Sequence, residues 1–446
     1  MQKINTRKIS FQILKKIENS GQISDRVIND KLKNKNLDKR DENLVRKIVY
    51  GCLENQILLD YYIKRMSSVR FNKIDSDILI ILRIGLYQIK FLDKIPNSAA
   101  VNESVKLAKK INFRSSGFVN GILRNYIRKE NEIKIESNSI NEELSIKYSY
   151  PLWMIDYFID SFGIDKTKEI IEFNKIAPKL AIRVNTLIIT RDDLIDELNI
   201  INIKSEKSKL TKDGIIINRL NAERINELEL FIKGYFYIQD DASILVAEIL
   251  NPKEGDRILD VCAAPGGKST HIAQIINDNG EIISRDITEE KINLINENIE
   301  RLSINSIITE VFDATLEDVE NIKKFDKILI DAPCTGLGII RRKPEIKLNR
   351  DKDDIVNISH LQYKILNNSA KLLKDNGEMV YSTCSIGETE NINVINRFLN
   401  ENKEYEIVTI NGNNTLQILP GDYESDGFFI CKLHRKQGWL FDIFYG

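Results

Sequence analysis

One stretch constrains the fold more than any other. Ile258-Leu259-Asp260-Val261 is a short apolar run that passes without a spacer into Cys262-Ala263-Ala264-Pro265-Gly266-Gly267-Lys268, and helical spacing begins near Ser269. A buried strand must therefore turn within a few small residues and lead straight into a helix. The alternation then repeats. Strands are predicted at 257–261, 281–284, 307–311, 327–330 and 379–382, with helical stretches between them. A βαβ series of this kind predicts a parallel, doubly wound α/β sheet. In such sheets ligands sit beyond the C-terminal strand ends.

The rest of the 446 residues reads differently. Residues 1–130 show no period-two segment. Ile4, Ile9, Ile13, Leu14 and Ile17 share a helical stripe, while Ile78 to Ile89 is apolar on nearly every face, the mark of a central helix. Asn97 or Ser98 is placed to cap the helix after Pro96, and Ser115 or Ser116 the last one. Residues 131–175 read as a linker, polar over 131–149, with connecting helices. Residues 176–235 read as a small α+β module, with strands at 180–184 and 214–217 and a helix at 191–198. Residues 236–446 form the α/β domain.

Charge separates these regions further. The chain nets −1, but residues 1–130 hold 27 basic and 13 acidic side chains and the remainder nets −15. This asymmetry points to a polyanion, nucleic acid, as the partner of the helical part. The alternative is a solvated Lys-rich surface. No uncharged apolar run reaches the roughly 18 residues of a membrane helix, and Met1–Ser10 carries no signal-peptide core. Five Cys then read as free thiols of a cytoplasmic protein. His271, His360 and His434 make no close Cys/His cluster, so no metal site is expected.

The chemistry-bearing residues fall at the strand ends. Gly266 and Gly267 let a ligand approach the backbone, and the helix start offers N–H groups to an anion. Neither G-x-G-x-x-G nor G-x-x-x-x-G-K-[ST] is present, so an amino-acid carboxylate fits better than a pyrophosphate. The Gly pair alone is equally an ordinary corner. Asp286 follows Gly267 by 19 residues, near the offset of about 20 at which an acid reaches ribose hydroxyls. Asp313 could accept from an adenine amino group. Two acids in register with the Gly turn favour a nucleoside cofactor. The last two strands end in Asp331-Ala332-Pro333-Cys334 and Ser382-Thr383-Cys384. Both Cys could face one pocket, or both could be small buried thiols; spacing does not decide. A reactive thiol needs activation, which Lys268 and a cationic cofactor could supply.

Together, LDVCAAPGGKSTHIA (259–273), LIDAPCTGLG (329–338) and MVYSTCSI (379–386) resemble the RNA cytosine-5 methyltransferases that use S-adenosylmethionine. DGFFICKL (426–433) resembles their closing strands and GYFYIQDDAS (234–243) their approach to the fold. LRIGLYQI (82–89), IPNSAAVNESVKLAKK (95–110) and SGFVNGILR (116–124) are similar to the helical domain related to the antitermination factor NusB. Arg183-Val184-Asn185 resembles the family's RNA-recognition-like module. A NusB-like domain fused to this catalytic domain resembles the bacterial members that act on 16S ribosomal RNA, and the resemblance covers nearly the whole chain.

The resemblance implies an all-α NusB-like bundle, a small α+β RNA-recognition-like module and a Rossmann-like methyltransferase domain. It implies Cys384 as the nucleophile at cytosine C6, Asp331 as the contact to the base, Cys334 in product release and Lys268 in charge balance. DNA cytosine methylases use the Cys of a Pro-Cys motif, which makes Cys334 the rival nucleophile. The cofactor would be held by Cys262, Ala263, Ala264, Pro265, Gly266, Gly267 and Lys268, with Asp286 on the ribose, Asp313 on the adenine and Asp331 alongside. Ser284-Arg285 depart from the smaller or apolar residues usual before the ribose acid. The implied partner is 16S rRNA, naked or in an early small-subunit particle, met by a monomer, with no DNA or membrane partner. The alternatives are another RNA such as tRNA, or a non-catalytic RNA-binding assembly or antitermination factor, which predicts broken motifs.

Overall fold

The computed structural model describes residues 5–21, 24–33, 37–219 and 225–437. The chain forms two compact units, Met1–Glu172 with Ile340–Arg350, and Phe173–Ile339 with Asp351–Gly446.

The first unit is helical, as expected. It comprises α1 (Thr6–Ser20), α2 (Ser24–Leu32), α3 (Lys39–Glu54), α4 (Gln56–Met66), α5 (Ser76–Phe91), α6 (Asn97–Ile111), α7 (Ser115–Lys129) and α8 (Ile140–Tyr148), and α9 (Leu152–Phe173) leads out of it. Of the α1 stripe, Ile9, Ile13, Leu14 and Ile17 are buried; Ile4 lies outside the described residues. The central helix is α5, buried from Ile80 to Gln88. A Cβ on Gly85 would lie 2.7 Å from Leu123 Cδ1. Arg83 can sit in this apolar helix because Asp60 takes its fork at 2.7 and 2.9 Å and Glu18 takes Nη1 at 2.6 Å. Unpaired, a charge so placed would cost several kcal/mol, on the order of 3–5.

Three local expectations change. No side chain caps α6, which starts at Asn97 directly after Pro96; the fixed φ of proline already sets the entry. No side chain caps α7 either, and Ser116 Oγ instead donates to Phe113 O at 2.6 Å. The polar stretch 131–149 carries α8, capped by Ser139, whose Oγ accepts from Glu142 N at 3.1 Å. Only Leu144, Ser145 and Tyr148 of this helix are buried, which is why its sequence reads as linker.

Residues 340–350 complete this unit. The Glu345 carboxylate accepts from Ser24 N and Ser24 Oγ, both at 2.9 Å, at the start of α2, where the helix dipole favours an anion. Lys347 Nζ donates to Glu54 O at 2.7 Å and lies over the Tyr150 ring. Leu348 packs on the helical core.

The second unit begins with an antiparallel sheet of β1 (Leu180–Val184), β2 (Lys204–Lys207), β3 (Gly214–Arg219) and β4 (Phe236–Ile238), ordered β2-β3-β1-β4. Helix α10 (Arg191–Ile200) packs Leu194 and Leu198 on Ile182, Ile215 and Phe236. Beyond α11 (Glu229–Ile232) and α12 (Asp241–Leu250) comes the large sheet: β5 (Arg257–Asp260), β6 (Glu281–Asp286), β7 (Ile307–Val311), β8 (Phe325–Asp331), β9 (Leu373–Thr383), β10 (Tyr405–Val408), β11 (Leu416–Ile418) and β12 (Phe428–Arg435). Helices α13 (Gly267–Ile275) and α14 (Glu289–Leu302) lie between the first three of these strands.

The strand order is β10-β12-β9-β8-β5-β6-β7, with β11 on β12. The five strands from β9 to β7 are parallel, as expected. The sheet as a whole is mixed, because β12 enters antiparallel to both β9 and β10. Successive strand residues go to opposite faces and both faces are covered. Leu259, Ile328, Ile330, Met379 and Tyr381 pack on one side, Ile258, Leu329 and Val380 on the other. The double coverage leaves the C-terminal strand ends as the place where polar side chains can collect.

Candidate active site

The corner predicted between β5 and α13 is present. Gly266 has φ +96°, in the left-handed region, and a Cβ there would lie 3.1 Å from Ile295 Cγ2. A Cβ on Gly267 would lie 2.8 Å from the Tyr237 ring. Both positions therefore require glycine. Ala263 N donates to Arg285 O at 2.9 Å, which ties the loop to β6. The Ala264–Pro265 bond is cis. No side chain caps α13, so its first N–H groups remain for a ligand. Burial raises the Cys262 thiol far above its ordinary range.

Asp260, at the end of β5, is fully buried. Ser269 Oγ donates to its Oδ2 at 2.6 Å, while Oδ1 has no hydrogen-bond partner. Burial pushes its pKa up to about 7. Asp260 stands inside the first motif, but as the last residue of an apolar strand it carries no local signal of its role.

Asp286 ends β6 and is buried. Its Oδ2 accepts from Ala264 N at 3.0 Å, and its Oδ1 from Ile287 N and Lys291 Nζ, each at 2.8 Å. The departure at Ser284-Arg285 leaves Asp286 in place. Arg285, one residue earlier, bonds Glu310 and Asp318 at 2.8 Å each and lies over the Phe312 ring. Asp313 follows β7, half-buried, and Thr315 N donates to it at 2.9 Å; that bond holds its carboxyl below the usual range.

The ends of β8 and β9 meet. Asp331 pairs in register with Ser382. Ser382 Oγ donates to Asp331 Oδ1 at 2.8 Å, and Lys268 Nζ to Oδ2 at 2.6 Å. Burial opposes the charge on Lys268, but Asp331 outweighs it and holds the ammonium above its ordinary pKa. Beyond Asp331 and Thr383 the two thiols come together, Cys334 Sγ and Cys384 Sγ 3.1 Å apart. The contact with Cys384, then burial, drives the Cys334 pKa well above that of a free thiol. Gly338 N donates to Cys384 O at 3.0 Å and Gly427 N to Gly338 O at 2.8 Å. A Cβ on Gly338 would lie 2.3 Å from Gly427 O. The DGFF stretch thus backs the loop that carries Cys334.

Arg183 and Asn185 are fully buried. Arg183 bonds Gln274 Oε1 at 3.0 Å, Thr270 Oγ1 at 2.9 Å, Gln239 Oε1 and Gly267 O. Burial lowers its pKa to about 9. Asn185 bonds Gly234 O, Leu302 O and Gln274. These side chains fasten the small sheet to α13 and α14. Among the described residues, Asp213, Glu248 and His271 bring one ligand atom each within 4.8 Å of one another. His271 Nε2 is 3.1 Å from Asp213 Oδ2.

The comparisons with known proteins match this layout. The profile of 16S rRNA methyltransferase RsmB/F covers residues 247–434, that of the NusB family 4–128, and that of the ferredoxin-like domain of RsmF/B-like methyltransferases 150–222. The probable ribosomal RNA small subunit methyltransferase B of Bacillus subtilis (strain 168) is 35% identical over 452 residues, spanning 98% of this chain and 100% of its own length. The chain belongs to the ribosomal RNA small subunit methyltransferase B family. The probable member from Synechocystis is 32% identical over 97% of this chain and 100% of its own. Among solved structures, PH0851 is similar with a TM-score of 0.83 at 26% identity, over 97% of this chain and 99% of that one. NSun6 from Pyrococcus horikoshii, solved with SFG, has a TM-score of 0.57 at 26% identity, over 64% of this chain and 97% of that one.

Members of this family are methyltransferases that use S-adenosylmethionine, and the residues here fit that cofactor. The uncapped α13 start suits its carboxylate. The buried, unpaired Asp260 Oδ1 is an open acceptor for its ammonium group. Asp286 and Asp331 add carboxylates beside the corner, which suits a sulfonium.

Proposed function

We propose that the chain methylates C5 of a cytosine in 16S rRNA through a covalent bond between Cys384 Sγ and C6 of the base. The observation that carries this reading is the pair of thiols 3.1 Å apart beside the Lys268–Asp331 pair. S-adenosylmethionine supplies an electrophilic methyl group. Cytosine C5 is too weak a nucleophile to accept it unaided. Addition of the Cys384 thiolate at C6 pushes an electron pair toward C5, which would then take the methyl group as its bond to the sulfonium breaks and the sulfur leaves as a neutral thioether. Asp331 accepts from the N4 amino group, and from N3 as it takes up a proton, while Lys268 balances the charge that develops. Solvent water takes the C5 proton; its electron pair re-forms the C5–C6 double bond as the S–C6 bond breaks, which restores aromaticity and returns the Cys384 thiolate. Cys334, held protonated beside Cys384, assists release of the product. The corner Cys262–Lys268 holds the methionine portion, Asp286 the ribose and Asp313 the adenine edge.

The base must leave its stack to reach Cys384. The helical unit holds the surrounding RNA through phosphates. Supporting this, Lys8, Lys106, Lys109 and Lys110 line a cavity of about 380 Å³ with Asn5 and Leu107. The test is transfer of labelled methyl from S-adenosylmethionine to 16S rRNA, read as 5-methylcytosine. Labelling of tRNA alone, or of another atom, would replace the reading.

A further inference from the structure

We propose that Glu390 is a positioning residue that sets the separation and aim of Cys334 and Cys384. Glu390 is fully buried, in the single turn Glu388–Glu390 after β9. Its Oε1 accepts from Thr335 N at 2.7 Å and Gln362 Nε2 at 3.3 Å. Its Oε2 accepts from Thr335 Oγ1 at 2.5 Å and Ser385 Oγ at 2.6 Å. Thr335 directly follows Cys334, and Ser385 directly follows Cys384. One carboxylate therefore binds both cysteine-bearing loops, and the two hydroxyls it holds are 3.1 Å from each other.

The surroundings reinforce the grip. Gln362 Nε2 also donates to Pro333 O at 2.8 Å, on the other side of Cys334. Asn391 accepts from Thr383 Oγ1 at 2.5 Å and donates to Ser385 O at 3.1 Å, so it brackets Cys384. Tyr381 OH donates to Glu390 O at 2.7 Å and fixes the turn itself. Those carboxylate contacts are a backbone amide and three uncharged side chains. A buried carboxylate served by such donors is a poor way to gain stability, since apolar packing would do as well or better. It is a good way to impose direction, because four donors fix both oxygens.

The proposal rests on Cys384 as the nucleophile, but one arm of its test does not. Glu390→Ala, Glu390→Gln and Ser385→Ala are made in the full chain; the last keeps the test open if the first does not fold. Diamide is added without RNA or cofactor, and the Cys334–Cys384 disulfide is followed by mass spectrometry. Each thiol gives one electron and one proton to the N=N bond, which becomes a hydrazide. Glu390→Ala and Ser385→Ala should cross-link roughly tenfold more slowly, since the rate depends on thiol access and approach. In methyl transfer kcat should fall about 100-fold for Glu390→Ala, as for a displacement of about 1 Å. KM for S-adenosylmethionine should stay unchanged, and Glu390→Gln should recover part of the loss. Wild-type cross-linking rates in Glu390→Ala and Ser385→Ala would overturn the proposal, and so would slowed cross-linking with undiminished kcat. Undiminished transfer by Cys384→Ala would instead remove the nucleophile and leave the cross-linking result standing.

Discussion

Ser382 Oγ and Asp331 Oδ1 are joined at 2.8 Å across two parallel strands, while Lys268 takes the other oxygen of the same carboxylate at 2.6 Å. Both oxygens of Asp331 are thus oriented from opposite sides, by β9 and by α13. A carboxylate held in this way cannot swing aside, and in the proposed reaction it would present fixed acceptors to the amino edge of the base.

Cys384→Ala should abolish methyl transfer and form no protein–RNA adduct. Cys334→Ala should form the adduct but release it slowly, so that a denaturing gel shows protein trapped on RNA. Ordinary turnover by Cys334→Ala without a trapped species would assign release to another group.

Lys268→Met removes the ammonium and leaves Asp331 bonded to Ser382 alone. We expect kcat to fall on the order of 10²–10³-fold, the usual loss for a preorganised charge partner. Single-turnover methyl transfer measures it. A loss below about threefold would make Lys268 a structural counter-ion, given the usual size of such electrostatic effects.

His271 supplies a pH dependence of stability. Burial lowers its pKa to about 4 in the folded chain, against about 6.5 when unfolded. Between those values the unfolded chain binds a proton that the folded chain does not, so stability rises with pH through that window. Acidification from pH 7 to pH 4 should therefore remove about 3 kcal/mol at this residue. Urea midpoints at pH 5 and pH 7 should differ less for His271→Gln than for the wild type. Equal differences would place the acid sensitivity elsewhere.

Replacing Lys106, Lys109 and Lys110 together by Ala should weaken RNA binding and flatten its salt dependence. Each lost phosphate contact lowers the slope of log K against log salt by about 0.7–0.9. Filter binding of 16S rRNA fragments between low and moderate salt reads this directly. An unchanged slope would make these lysines a merely solvated face.

The strand-end chemistry was legible because each motif is contiguous: Cys262–Lys268, Asp331–Cys334 and Ser382–Cys384 each lie in one turn of chain, whose position follows from the apolar strand before it. Glu390 was not legible. It lies in the polar run Gly387–Asn391, which looks solvent-facing, and its partners Thr335 and Gln362 are far away in sequence. Arg183-Val184-Asn185 carried a resemblance to the RNA-recognition-like module, but not the fact that Arg183 is buried against α13. No local pattern reveals such an arginine, because its burial depends on acceptors near residues 239, 267, 270 and 274. The antiparallel direction of β12 was hidden, since its apolar run Phe428–Cys431 reads the same way as that of a parallel central strand.

The chain crosses between its two units more than once: it leaves the second after Ile339, lends Ile340–Arg350 to the first, and returns at Asp351. No single cut can therefore divide the molecule cleanly. A gene fragment beginning at residue 173 would carry a strap whose Glu345, Lys347 and Leu348 have lost their seats, and one ending at residue 172 would leave the start of α2 and the end of α3 without their outside partners. The helical half is stitched in rather than appended, so swapping it between relatives would demand that the strap travel with it.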